Sequence, residues 1–318
     1  MAFSAVLRPA LLAAGRSPRM ARTVARVPVT KHVVDRFVAG ETEADAVAVA
    51  RRLLDDGRDI TIDYLGEDTT DVAQANDTVR HYLALLPALS QLTEQTPERR
   101  RVEVSLKLSA LGQALPRDGH QIAVDNARTI CRAAESSGAW VTVDAEDHTT
   151  TDSTLAIVNE LRAEFPTLGT VLQAYLHRTE GDCRDLSGPG SRIRLCKGAY
   201  REPVSVAYQN KRDVDGSYLR CLRILMEGTG YPMVATHDPS MIEAALRSAG
   251  DAGRSAEKFE LQMLYGIRDV EQRRLVGTGH QLRVYLPYGQ QWYGYFMRRL
   301  AERPANLMFF LRSLSSAK

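Results

Sequence analysis

The stretches VEVSLKLS (residues 102–109), WVTVDAE (140–146) and RIRLCKGAY (192–200) decide the fold. Each is a short run of β-branched and apolar residues that closes in charged ones, the signature of a buried strand with a polar end. Five further runs have the same build: ITIDYLG from Ile60, TVLQAYL from Thr170, PMVATH from Pro232, FELQMLYG from Phe259 and QLRVYLPYG from Gln281. The intervening stretches are long enough for crossover helices. DAVAVARRLLDDG (45–57) and DSTLAIVNELRAEF (152–165) repeat apolar residues at spacings of three and four, as amphipathic helices do. ESSGAW (135–140) and GTGYP (228–232) instead gather small and turn-forming residues just before a strand. Eight such units predict an α/β fold, a (β/α)8 TIM-type barrel, which takes roughly 250 residues. The expected division is a basic, helical N-terminal segment over 1–56 and a barrel over 57–318. The rival, an open doubly wound sheet, lacks any strand followed by GxGxxG.

A chain of 318 residues, 44% hydrophobic and 25% charged, has the composition of a soluble folded protein, which excludes disordered and fibrous classes. With 41 basic and 39 acidic residues the net charge of +2 offers no nucleic-acid footprint. Cys131, Cys183, Cys196 and Cys221 form neither a CxxC pair nor a zinc-type cluster. They read as reduced thiols of an intracellular protein without a metal site. The first 34 residues hold Arg8, Arg16, Arg19, Arg22, Arg26 and Lys31 and no acid. Such a segment can dock on the domain, lie on an anionic membrane face or serve as a transit peptide. The expected location is the cytoplasm, with peripheral contact to the inner membrane surface as a further reading.

Barrel enzymes build their sites at the C-terminal ends of the strands, so the polar residues closing each run are the candidates. Lys107 follows the second run, Asp144 and Glu146 the third, Gln173 the fourth, Arg194 and Lys197 the fifth, and His237 the sixth. Each alone fits a satisfied polar layer inside the barrel, and His237 fits a structural hydrogen bond. Together, with the three cations balanced by few acids, they indicate an anionic ligand or cofactor. The last helical stretch, WYGYFMRRLAERPANLMFF (292–310), places Tyr295 and Arg299 four apart, and Arg298 and Glu302 likewise. Paired arginines in an aromatic setting suit bidentate carboxylate recognition, whereas on a solvated helix they form an internal salt bridge.

The ordered set FVAGET, DYLGE, VSLKLSAL, DAED, VLQAY, RLCKGAY, ATHD, FELQMLYG, YLPYG and YFMRRLAER resembles the monofunctional proline dehydrogenases, flavoenzymes similar to the dehydrogenase domain of bifunctional proline utilisation proteins. The resemblance implies a distorted barrel that holds FAD beneath its last helix, and oxidation of L-proline to 1-pyrroline-5-carboxylate, with electrons passed to a quinone. It implies that Lys107, Arg298 and Arg299 bind the proline carboxylate, that Leu264 and Tyr295 pack against the ring, and that Tyr285 lines the pocket. Asp144 completes the catalytic site and Arg194 lies near the flavin N5. Gln173, Lys197, Gly198, Ala199, Tyr200, Thr236, His237 and Glu302 match cofactor contacts, with Ala145 contributing backbone. Glu67 matches a gate acid that pairs with Arg298. The bulk of Tyr295 favours proline over its hydroxylated form. Two other classes stay open on the residues alone. One is a Schiff-base aldolase using Lys107 or Lys197, and the other is a non-catalytic membrane-surface protein that keeps the barrel.

Overall fold

All eight apolar runs form strands, and their parallel pairing closes on itself in sequence order, β1 joining β8. The computed structural model describes residues 34–66, 69–93 and 101–302, the last five for their helical backbone alone. The strands are β1 (Asp59–Tyr64), β2 (Val102–Leu106), β3 (Trp140–Val143), β4 (Gly169–Gln173), β5 (Arg192–Cys196), β6 (Tyr231–Ala235), β7 (Glu260–Leu264) and β8 (Leu282–Tyr288). The ring of helices comprises α1 (Glu43–Asp55), α2 (Val72–Thr93), α3 (Gly119–Ser136), α4 (Thr151–Arg162), α5 (Thr179–Leu186), α6 (Lys211–Glu227), α7 (Pro239–Asp251) and α8 (Asp269–Gly277).

Strand side chains alternate between two environments. Ile60, Ile62, Val104, Leu106, Val143, Ile193, Leu195, Leu261, Val284 and Leu286 belong to one continuous apolar core shared with helix residues such as Leu53, Leu86 and Leu222. They are the outward set. The inward set is polar: Asp59, Thr61, Asp63, Glu103, Ser105, Arg192, Arg194, Glu260, Gln262 and Arg283 are all buried. TIM-type barrels usually fill this space with branched apolar side chains. Here hydrogen-bonded ion pairs span it, from Glu103 on β2 to both Arg192 and Arg194 on β5.

Helix α1 packs against β1 and β8, and its Ala46, Val49, Ala50 and Leu53 join the same core. It thereby fills the outer position that a helix after β8 would otherwise take. Its start is fixed by a capping box in which the Thr42 hydroxyl accepts from the Asp45 N–H while Asp45 accepts from the Thr42 N–H. The helix that does follow β8, α9 (Trp292–Glu302), lies elsewhere. Trp292, Tyr293, Tyr295, Phe296 and Met297 cluster with Leu65 and Ile267, just past the C-terminal ends of β1 and β7, and with Leu264 at the end of β7. This puts the helix over the barrel mouth. Trp292 also donates its indole N–H to Glu41 at 3.0 Å.

Candidate active site

Beneath α9, four residues from four strand ends meet in one hydrogen-bonded group. Asp144 accepts from Arg194 Nη1 at 2.7 Å, from the Ser105 hydroxyl at 2.7 Å and from the Tyr285 hydroxyl at 2.6 Å. Lys107 Nζ lies 3.9 Å from Asp144 and donates to both oxygens of Asp63, at 2.7 and 2.6 Å. The period-two rule explains the convergence: Asp63, Lys107, Asp144, Arg194 and Tyr285 all have the inward parity of their strands. Arg194 is the best-anchored member. Its Nε donates to Gln262 at 2.6 Å, its Nη2 to Glu103 at 2.6 Å and its Nη1 also to Ser105 at 3.1 Å.

Burial and these neighbours set the charge states. Glu103, fully buried between Arg192 and Arg194, is held well below the usual carboxylate range by the guanidinium groups. Burial pushes the Asp63 carboxyl up to about 6; Lys107 opposes that shift and the Asp144 charge adds to it. Burial raises the Tyr285 hydroxyl well above its ordinary value, Asp144 and Asp63 adding to the rise, so it acts here as a neutral donor.

The expectation that Lys107, Arg194 and Lys197 meet few acids does not hold. Each cation already faces carboxylates: Lys107 faces Asp63, Arg194 faces Glu103 and Asp144, and Lys197 faces Asp215 and Asp238. Nor does Lys197 share the side of β5 that carries Arg194. The strand ends at Cys196, and the ammonium reaches Asp215 at 2.5 Å and Asp238 at 3.0 Å, near the N-terminal ends of α6 and α7. Asp238 also caps α7 through the Ser240 N–H, and burial notwithstanding, Lys197 and Ser240 hold its carboxyl below its ordinary value.

His237 Nε2 accepts the Leu264 N–H at 2.9 Å, which matches the structural hydrogen bond the sequence allowed and ties β6 to β7 at the mouth. Thr236 accepts from the Asp238 N–H. Leu264 and Tyr295 pack in the same cluster under α9. Ala145 and Lys197 are half-buried, while Ala199 and Tyr200 are exposed on the loop after β5. Gln173 is buried and its side-chain oxygen has no partner among the described residues. Gly198 has a φ of +104°, and a Cβ there would lie 2.3 Å from the Tyr175 ring, so that close approach of backbone to ring requires glycine. Glu67 lies outside the described residues, as do the side chains of Arg298, Arg299 and Glu302, whose backbone is on α9.

Asp63, Glu103, Ser105 and Gln262 were missed as site residues. The signal was present as a polar period-two alternation inside each run, D-I-T-I-D in β1 and E-V-S-L-K in β2.

A closed parallel barrel with charged residues converging at its strand ends under a covering helix has the architecture of a barrel enzyme. The comparisons give that architecture its family. The chain belongs to the proline dehydrogenase family, whose model matches residues 46–312. It is 38% identical over 279 residues to proline dehydrogenase 1 of Bacillus subtilis, covering 88% of this chain and 89% of that one. With the proline dehydrogenase of Deinococcus radiodurans it shares 38% identity over 285 residues, 89% of this chain and 90% of that one. Among solved structures it is similar to proline utilization A of Bdellovibrio bacteriovorus inactivated by N-propargylglycine, with a TM-score of 0.78 and 27% identity. That match covers 85% of this chain and 32% of the longer one, so the chain spans about a third of that protein.

Proposed function

We propose that the chain oxidises L-proline to 1-pyrroline-5-carboxylate, with FAD as the electron acceptor. The observation that carries this reading is the hydrogen-bonded group of Ser105, Asp144, Arg194 and Tyr285 at the barrel mouth, with the Lys107 ammonium 3.9 Å from Asp144. The described residues fit a flavin nucleotide. Gln173 offers a buried oxygen without a partner, Gly198 brings bare backbone to the mouth, and Lys197 stands pinned on the rim. FAD supplies the two-electron acceptor when bound there, with Arg194, Gln173, Lys197, Gly198, Ala199, Tyr200, Thr236, His237, Glu302 and the Ala145 backbone holding it.

The protein's part is binding, orientation and electrostatics. Lys107, with Arg298 and Arg299, neutralises the proline carboxylate through charge-assisted hydrogen bonds and fixes the ring in one pose. Leu264, Tyr285 and Tyr295 form its apolar and aromatic bed. Asp144 orients Arg194, whose fixed charge favours the electron-rich state that follows oxidation of the ring. Formation of the C=N bond needs the neutral amine, whose nitrogen lone pair is free. Glu67 pairs with Arg298 as the site closes. In this reading the catalytic unit is the barrel together with α1, whose Ala46, Val49, Ala50 and Leu53 share its core, and the basic segment precedes it. Electrons pass on to a membrane quinone, the basic N-terminus touching anionic lipid from the cytoplasmic side. No described helix is long and apolar enough to cross a membrane.

The test is the visible spectrum of the purified protein under anaerobic conditions before and after L-proline. Yellow absorbance that bleaches with L-proline supports the reading. A colourless protein that takes up no FAD, or a flavin unmoved by L-proline, defeats it.

A further inference from the structure

The Lys107 ammonium is already paired before any ligand arrives. Asp63 receives two of its hydrogen bonds and Asp144 stands 3.9 Å away. The two carboxylates are not equally secured. Asp144 accepts from Arg194, Ser105 and Tyr285, whereas Lys107 is the one cation paired with Asp63 among the described residues. Asp63 is also the more deeply buried, at 1% side-chain exposure against 13%. The other groups facing it are hydroxyls or acids: Tyr285 and Tyr288 from β8, Tyr82 from α2 and Asp144 beyond β3.

From this geometry we infer that docking of a ligand carboxylate on Lys107 is coupled to uptake of one proton by Asp63, which becomes a neutral acid while the ligand takes over the ammonium. The inference rests on the proposed role of Lys107 as a carboxylate anchor. The proton comes from solvent and goes to Asp63; the ion pair with Lys107 is replaced by one between Lys107 and the ligand. No other bond changes.

The physics is that of three carboxylates competing for one ammonium. Asp63 already titrates at about 6, because burial and the Asp144 charge oppose Lys107. Two carboxylates sharing an ammonium sit about 5 Å apart, and at an effective dielectric constant of about 20 that repulsion raises a pKa by about two units. The free site then titrates near pH 6 and the occupied one near pH 8, so uptake peaks at about 0.8 proton near pH 7 and fades below about pH 5 and above about pH 9. Between those limits the ligand's Kd weakens with rising pH, by about fiftyfold from pH 5 to pH 8.

Tetrahydro-2-furoate is the probe: it keeps the five-membered ring and carboxylate and has an ether oxygen in place of the amine, so no amine proton confuses the count. Calorimetric titration of the flavin-loaded full chain in two buffers of different ionisation enthalpy gives the protons taken up. The expected result is near 0.8 at pH 7 for the wild type and near zero for Asp63→Asn, whose Kd stays within about threefold from pH 5 to pH 8. Binding without uptake in the wild type overturns the inference, and so does uptake that persists in Asp63→Asn. If Asp63→Asn does not fold, the wild type decides alone: absent uptake at pH 7, or uptake that keeps rising to pH 9, overturns it. Failure of both tetrahydro-2-furoate and L-proline to bind defeats the functional reading instead.

Discussion

Replacing Glu103 with Gln removes one charge from the middle of the barrel and nothing from its surface. The wild-type carboxylate is fully buried and takes a hydrogen bond from the Thr61 hydroxyl, one from Arg192 Nη2 and one from Arg194 Nη2. Arg192 also stacks on the Trp140 ring, its guanidinium carbon 3.9 Å from the centroid, and lies next to no other carboxylate among the described residues. Glu103→Gln therefore strands Arg192. Breaking a buried ion pair from one side costs about 3–5 kcal/mol; the amide keeps some hydrogen bonding, so about 3 is expected, or roughly 4 to 5 °C in Tm for a chain of this size. The pH dependence is part of the prediction. A carboxyl held below its unfolded value contributes stability that is complete above the unfolded pKa and is lost as pH falls through the folded one. The gap between wild type and variant should thus be constant from pH 5 to pH 8 and narrow only in stronger acid. Circular dichroism melts at several pH values measure it. Adding Arg192→Met should recover at least half the loss, because the double change removes the stranded cation as well. A variant melting within about 2 °C of wild type, or a gap that closes between pH 8 and pH 5, would refute the reasoning.

Asp144→Asn should slow flavin reduction by L-proline about a hundredfold in anaerobic stopped-flow, since it loosens both Arg194 and Tyr285; an unchanged rate removes Asp144 from the site. Gly198→Ala forces a strained φ and a clash with Tyr175, costing about 1–3 kcal/mol at the rim where FAD is proposed to sit. The ratio of flavin to protein absorbance in the purified variant should fall, and a full complement of flavin would count against that placement. Deletion of residues 1–30 should abolish co-sedimentation with anionic vesicles at low salt, and binding that survives the deletion removes the motive for a membrane contact.

The eight strands were legible because their apolar outward faces write themselves as short runs with polar ends, and all eight runs form strands within a residue or so of their expected starts. Lys107, Asp144 and Arg194 were legible for the same reason, each closing or lining a run at the mouth, whereas Tyr285 came with the family resemblance. Their partners were not. Glu103 finds Arg194 across the barrel, 91 residues away, and which residues face one another there depends on closure and stagger that no local pattern encodes. The carboxylates facing Lys197 come from the N-terminal regions of two helices, Asp215 and Asp238, which the strand-end rule does not search. Helix α1 read correctly as amphipathic, but that it takes the outer place beside β8 follows only from α9 having left for the mouth.

Substrate binding in this site requires Lys107, just past β2, and the arginines of α9 to meet on one acid at the mouth. A crystal structure of the flavin-loaded chain with tetrahydro-2-furoate tests this most directly. The prediction is one carboxylate within hydrogen-bonding distance of Lys107 and of the guanidinium groups of Arg298 and Arg299, its ring flat against the flavin. Arg298 and Arg299 turned out into bulk water, with the ligand bound by neither, would contradict it.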